Sequence, residues 1–299
     1  MTVLELIASN ASVLIALSIV LGLVVGSFLN VVIYRIPVML QREWRQQCCE
    51  YLELDEQKFS KDGPSSMHKV FNLVKPDSHC PQCNAPVRAW QNIPIISFAV
   101  LRGRCAGCQK PISMRYPIIE LVTGLLSGLV AWQLGATWFT LSALVLTWCL
   151  IALTMIDFDH QLLPDNITLP LLWLGLLVNT LLPESTVPAA DAVLGAIFGY
   201  LSLWSLYWAF KLLTGKEGMG YGDFKLLAAL GAWMGWKSLL LIVILSSLAG
   251  AIVGIGLLIL RGRDRSIPIP FGPYLAGAGF ISLMWGDVLT GLYMSSMVP

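Results

Sequence analysis

Two kinds of side chain in this sequence occur at spacings that chemistry requires. Cys80-Pro-Gln-Cys83 and Cys105-Ala-Gly-Cys108 are paired C-x2-C knuckles separated by 21 residues. Each knuckle closes a tight turn that aims two thiolates at one metal, and two such turns supply a tetrahedral four-sulfur site. A closed set of four thiolates suits a structural zinc, not a catalytic one. The alternative pairing, two disulfides, needs an oxidising compartment. Cys48, Cys49 and Cys149 have no partner at ligand spacing. The second kind is aspartate. Asp157 follows the apolar run 150–156 and opens the stretch Asp157-Phe-Asp-His-Gln-Leu-Leu-Pro-Asp165. Asp223 lies in Gly218-Met-Gly-Tyr-Gly-Asp-Phe-Lys225, directly before another apolar run. Ionisable groups at membrane depth are costly and are functional candidates by default. Asp159 and Asp165 read more simply as interfacial anchors of helix ends. Glu120 reads as a buried residue that supports a site or, at least as well, as a partner for Arg115 or a polar neighbour.

A pair of aspartates can hydrolyse a peptide bond. One carboxylate activates water while the other protonates the carbonyl oxygen. Competing chemistries lack their residues. There is no H-E-x-x-H, no G-x-S-x-G and no P-loop, and the only histidines are His68, His79 and His160. Gly218, Gly220 and Gly222 would let the backbone approach an extended substrate. Lys225, two residues beyond Asp223, would favour its ionised form. Asp157 falls at the C-terminal end of one helix and Asp223 at the N-terminal end of another. The opposed macrodipole ends favour Asp157 as the acid and Asp223 as the base.

These groups need a frame, and composition supplies it. The chain has 299 residues, 56% hydrophobic and only 12% charged; a soluble domain carries about 25% charged residues. That excludes a disordered chain, a nucleic-acid binder and an ordinary soluble enzyme. It predicts an all-α polytopic membrane protein. Residues 12–34 hold no charge and are long enough to cross a bilayer. Residues 35–116 hold 12 of the 19 basic residues and six of the seven cysteines, and read as a water-exposed zinc domain. Beyond it the apolar runs 117–134, 138–156, 166–182, 190–210, 224–236, 238–260 and about 270–297 predict a seven-helix membrane core, eight spans in all. No internal repeat is evident. Lys and Arg concentrate in 35–116, at Lys211, Lys216 and Lys225, and at Arg261, Arg263 and Arg265. With eight spans the positive-inside rule places these breaks in the cytoplasm and residues 1–11 in the periplasm.

Taken together the motifs resemble the type IV prepilin leader peptidases, which are also N-methyltransferases. The residues that carry the resemblance are Gly26-Ser-Phe-Leu-Asn-Val-Val-Ile-Tyr-Arg35, the paired knuckles, Asp157 through Asp165, the G-x-G-D sequence Gly220-Tyr-Gly-Asp223, and Ile269-Pro-Phe-Gly-Pro273. They cover nearly the whole chain in order. G-x-G-D alone is shared with intramembrane aspartyl proteases of the presenilin type. The resemblance implies that Asp157 and Asp223 are the catalytic pair of a bacterial inner-membrane enzyme. Such an enzyme removes the basic leader of prepilins and type II secretion pseudopilins at the cytoplasmic face. It then methylates the new N-terminus with S-adenosylmethionine. No methyl-donor motif is visible, so cofactor-binding residues are not assigned. Two other classes remain open on residues alone. An ion-coupled transporter also carries membrane aspartates, but commonly near the midplane of paired repeats. A zinc-bearing scaffold without chemistry would function with both aspartates replaced.

Overall fold

The computed structural model describes residues 10–54, 71–261 and 270–297. Most of the predicted periplasmic N-terminus, part of the predicted zinc domain with His68, and the basic break containing Arg263 and Arg265 lie outside the described residues. Among the described residues the secondary structure is helical, without strands. The chain divides into two compact units, 18–126 and 127–299 together with 1–17.

Among the described residues the eight long helices are α1 (Ala11–Tyr51), α2 (Arg115–Leu134), α3 (Trp138–His160), α4 (Asp165–Leu181), α5 (Ala189–Thr214), α6 (Tyr221–Met234), α7 (Leu239–Arg261) and α8 (Gly272–Met297). Five of the described helices, α1, α2, α3, α5 and α7, are long and apolar enough to cross a membrane. Thus the chain is multi-pass, whereas the count of eight spans is not established by length and apolarity. α4 is apolar but only 17 residues long, α6 has 14, and α8 breaks at Trp285 (φ −135°, ψ 15°).

α1 differs most from expectation. The helix predicted over 12–34 continues to Tyr51, through Pro37 and into the charged sequence around Arg42, Glu43 and Arg45. The apolar stretch sets what the bilayer covers and does not end the helix. Pro37 removes one N–H, yet the helix continues on both sides of it. In the 18–126 unit α1 and α2 approach closely, and a Cβ at Gly26 would lie 2.8 Å from the Glu120 Cα.

In the larger unit α6 is the central element. From Asp223 to Trp233 it is buried on almost every face, as befits a helix apolar all round. α5 packs against it backbone to backbone, and a Cβ at Gly195 would overlap the Gly231 carbonyl. On the other side the indole of Trp233 fills the space over Gly175 of α4 and donates to the Leu171 carbonyl at 2.9 Å. Fourteen residues make roughly 21 Å of helix, short of a bilayer core of ~30 Å. The carbonyls at its C-terminal end therefore need partners inside the protein. Asn179 of α4 donates to the carbonyls of Ala232 (2.7 Å) and Trp233 (3.0 Å), and Ser238 to that of Met234 (2.9 Å).

Candidate active site

The end of α3, the start of α6 and the start of α8 converge on one cavity of about 310 Å³, lined by Asp157, Gln161, Leu163, Glu217, Gly218, Met219, Gly220, Gly222, Asp223, Pro270 and Phe271. Both sequence-selected aspartates face it, and both are nearly buried, Asp157 5% exposed and Asp223 6%. α3 runs four residues past the predicted end at Ile156, so Asp157 lies inside its last turn. Gln161 then stops the helix in the left-handed conformation (φ 52°), donating its N–H to the Asp157 carbonyl at 2.9 Å. α6 starts three residues earlier than predicted. Gly220 is its N-cap, which places Asp223 at the third helical position.

α8 supplies a partner that the residue pattern does not assign, although Gly272 lies in the Ile269-Pro-Phe-Gly-Pro273 motif. Asp157 Oδ2 accepts the backbone N–H of Gly272 at 2.9 Å. A Cβ at Gly272 would lie 2.6 Å from that oxygen, so the N–H reaches the carboxylate only because residue 272 is glycine. Asp157 thus sits in the last turn of α3 with a backbone donor from α8 on its carboxylate.

Leu163 is the other residue sequence reasoning missed. Its side chain packs between Gly222, where a Cβ would come within 2.7 Å of the Leu163 Cβ, and Gly272, where one would come within 3.1 Å of its Cδ2. Gly222 is therefore required by packing between α6 and the loop that follows α3. Gly220 differs: its φ is −81°, and the nearest atom to an added Cβ is Asp223 Oδ2 at 3.8 Å. Its missing side chain leaves room beside that carboxylate.

Lys225 does not act on Asp223 directly in this arrangement. Its ammonium sits on Asp165, 2.7 Å from each carboxylate oxygen, and ties the second turn of α6 to the first turn of α4. Glu217, on the cavity rim, accepts a hydrogen bond from Lys211 at 2.9 Å, which holds its carboxyl below the ordinary range. Tyr207, Tyr221 and Phe224 pack ring against ring behind this rim, with centroids 5.3–5.7 Å apart. They fix the start of α6 against α5.

In the 18–126 unit the four knuckle cysteines come together as the spacing requires. Their sulfurs all lie within 4.8 Å of one another. Cys80 and Cys108 are 3.9 Å apart, and Cys83 and Cys105 are 4.0 Å apart. Sulfurs around a tetrahedral zinc at ~2.3 Å would be about 3.8 Å apart, so the set fits a metal ion. The backbone N–H groups of Gln82 and Cys83 pull the Cys80 thiol down to about 6. Those of Cys108 and Gly107 lower Cys105. At Cys83 the N–H of Ala85 pulls down, but desolvation and the three neighbouring thiols win and push it up to about 11. Backbone donors thus favour thiolate at Cys80 and Cys105, while the neighbouring thiols oppose it at Cys83.

The two knuckles are copies, against the expectation of no internal repeat. The bridge His79–Pro86 recurs 25 residues later as Arg104–Pro111. Cys80 N–H donates to the Ala85 carbonyl and Cys105 N–H to that of Lys110, each at 2.9 Å. Asn84 and Gln109 follow the second cysteines, both with positive φ (55° and 58°).

Glu120 is buried, and its Oε2 accepts the N–H of Ile95 at 2.8 Å. This loop amide is one of its partners.

Comparison with known proteins agrees with these motifs. Residues 20–134 match the family model described as bacterial Peptidase A24 N-terminal domain, and residues 144–255 match that of the type IV leader peptidase family. The chain is 59% identical over 278 residues to the prepilin leader peptidase/N-methyltransferase of Aeromonas salmonicida, covering 93% of this chain and 92% of the relative. It is 58% identical to that of Aeromonas hydrophila, with the same coverage. It is 53% identical to that of Stutzerimonas stutzeri over 98% of each chain. No solved structure matches. The two family segments bracket the two sites, the first holding the four-cysteine cluster and the second both aspartates, and the chain belongs to the type IV leader peptidase family.

Proposed function

We propose that this protein cleaves the leader from type IV prepilins and type II secretion pseudopilins and then methylates the new N-terminus, with Asp157 and Asp223 as the catalytic pair. The observation that carries the reading is that these two buried carboxylates, 66 positions apart in the chain, line one cavity.

One carboxylate of the pair takes a proton from water as the oxygen attacks the scissile carbonyl. The other gives its proton to the carbonyl oxygen. The tetrahedral intermediate then collapses, and the amine leaves with a proton returned from the pair. The water oxygen ends in the carboxyl group of the leader. Glu217 adds a third carboxylate to the cavity wall, which suits a basic leader. Lys225 and Asp165 hold the α6 start in place, and Gly220 and Gly222 keep the approach open and the packing tight.

Zinc is the metal that fits Cys80, Cys83, Cys105 and Cys108, in a structural role. S-adenosylmethionine is the methyl donor that the relatives' shared name supports. None of the side-chain sets described above is built to hold an adenosine and a sulfonium, so no residue is assigned to it. The location is the bacterial inner membrane, with the residues 35–116 and the active site toward the cytoplasm. That orientation rests on the distribution of Lys and Arg.

The test is purified protein in detergent with a prepilin, read by mass spectrometry with and without S-adenosylmethionine. The expected products are a leaderless pilin without the cofactor and its methylated form with it. Intact prepilin in both would overturn the reading.

A further inference from the structure

Residues 89–101, Ala-Trp-Gln-Asn-Ile-Pro-Ile-Ile-Ser-Phe-Ala-Val-Leu, contain no charged side chain, although they lie inside the segment read as water-exposed. Arg88 precedes them, and Arg102 and Arg104 follow. Thirteen residues are too few to span a bilayer and match the length of interfacial or re-entrant segments.

The structure folds them as a 3-10 turn (Ala89–Asn92), a sharp reversal and a five-residue helix (Ile96–Val100) with no buried residue. Trp90 is 45% exposed, Ile93 44%, Ile96 61% and Val100 67%. The three arginines are exposed beside them. At the reversal Ile95 has φ 60° and ψ −47°, a conformation a β-branched residue avoids, and Ile96 N–H donates to the Pro94 carbonyl across it. Two contacts hold the strained turn. Ile95 donates its N–H to the buried Glu120 of α2 at 2.8 Å, and Ser27 of α1 donates to the Asn92 carbonyl at 3.3 Å. Ser27 lies within the uncharged run 12–34, and Glu120 is in the second turn of α2. Both belong to helices apolar enough to cross the membrane. Residues 92–95 are therefore pinned against two helices long and apolar enough to span the membrane.

We infer that residues 89–101 form an interfacial hairpin seated in the surface of a phospholipid bilayer. Trp90, Ile93, Ile96 and Val100 enter the headgroup boundary, while Arg88, Arg102 and Arg104 meet anionic phosphates. Apolar side chains flanked by basic ones, with a tryptophan among them, suit that boundary. The strained turn at Ile95 keeps Ile93 and Ile96 on the outside within four residues. This inference needs the membrane reading of α1 and α2 but does not depend on the peptidase chemistry.

The test uses the full chain in nanodiscs of phosphatidylethanolamine and phosphatidylglycerol. 4-Trifluoromethylphenylalanine replaces Trp90, Ile96 or Val100 singly, with the exposed knuckle residue Ala106 as reference. Fluorine relaxation is measured with a lipid spin-labelled near its headgroup and, separately, with a water-soluble gadolinium chelate. The expected result is at least threefold greater relaxation by the lipid label at the three hairpin positions than at Ala106, with the opposite order for gadolinium. Hairpin positions that behave like Ala106 would overturn the inference. Positions shielded from both agents would also overturn it, because a protein partner would then cover the patch. The substituted side chains are exposed, and three positions allow a decision if one variant misfolds. Neither readout depends on cleavage, so failure here and failure of the peptidase reading are separate results.

Discussion

Leu163 packs between two glycines, and that packing makes the glycines of the G-x-G-D motif unequal. Gly222→Ala drives a methyl group into Leu163. It should destabilise the protein by about 1–3 kcal/mol, as overpacking of a filled site does, and lower cleavage with it. Gly220→Ala meets nothing closer than 3.8 Å and should leave thermal stability near the parent while raising KM, because the new methyl group narrows the cavity beside Asp223. Thermal unfolding in detergent with steady-state cleavage separates the two. The ion pair of Lys225 with Asp165 is a further test at this scale. Both partners are partly exposed, so a double-mutant cycle with Lys225→Met and Asp165→Asn should give a coupling of only about 0.2–1 kcal/mol. Asp157 and Asp223 were legible because a carboxylate abutting an apolar helix is expensive. Gly272 and Leu163 were not. The Gly272 N–H meets Asp157 across 115 positions, and neither residue type announces a partner.

At the scale of elements, the knuckles and α6 show why some structure is readable and some is not. Ligand spacing is local, so the four cysteines were found from sequence. The recurrence of the whole knuckle was hidden because only the two cysteines and a proline are shared, in Cys80-Pro-Gln-Cys-Asn-Ala-Pro86 and Cys105-Ala-Gly-Cys-Gln-Lys-Pro111. The purified protein should carry about one zinc per chain, from the four-thiolate count. Cys83→Ser or Cys105→Ser should lose it and lower the unfolding temperature, as elemental analysis and calorimetry would show. α6 was visible as an unusually short apolar run, but what stops it was not. Its last carbonyls are capped by Asn179, a residue 53 positions earlier. Asn179→Leu leaves those carbonyls buried without donors, at a cost of about 1–3 kcal/mol. Asn179→Asp, whose carboxylate cannot donate to a carbonyl, should be at least as damaging.

For the whole molecule, periodicity-free apolar runs located the seven later helices to within a few residues, because charge punctuates a membrane protein sharply. The run 12–34 located only part of α1, since a helix does not end where its lipid cover does. The arrangement in space could not be read the same way. It depends on backbone contacts such as Gly195 against Gly231 that no composition encodes. The central claim is that one cavity joins Asp157 and Asp223 as a single hydrolytic device. The most direct measurement is leader cleavage of a prepilin by purified Asp157→Asn and Asp223→Asn variants, each shown to be folded by its unfolding profile, with Asp159→Asn alongside. The account predicts that each of the first two loses at least a thousandfold in cleavage rate, with no further loss in the double variant, while Asp159→Asn retains substantial activity. Near-parent cleavage by a folded Asp157→Asn or Asp223→Asn variant would contradict it.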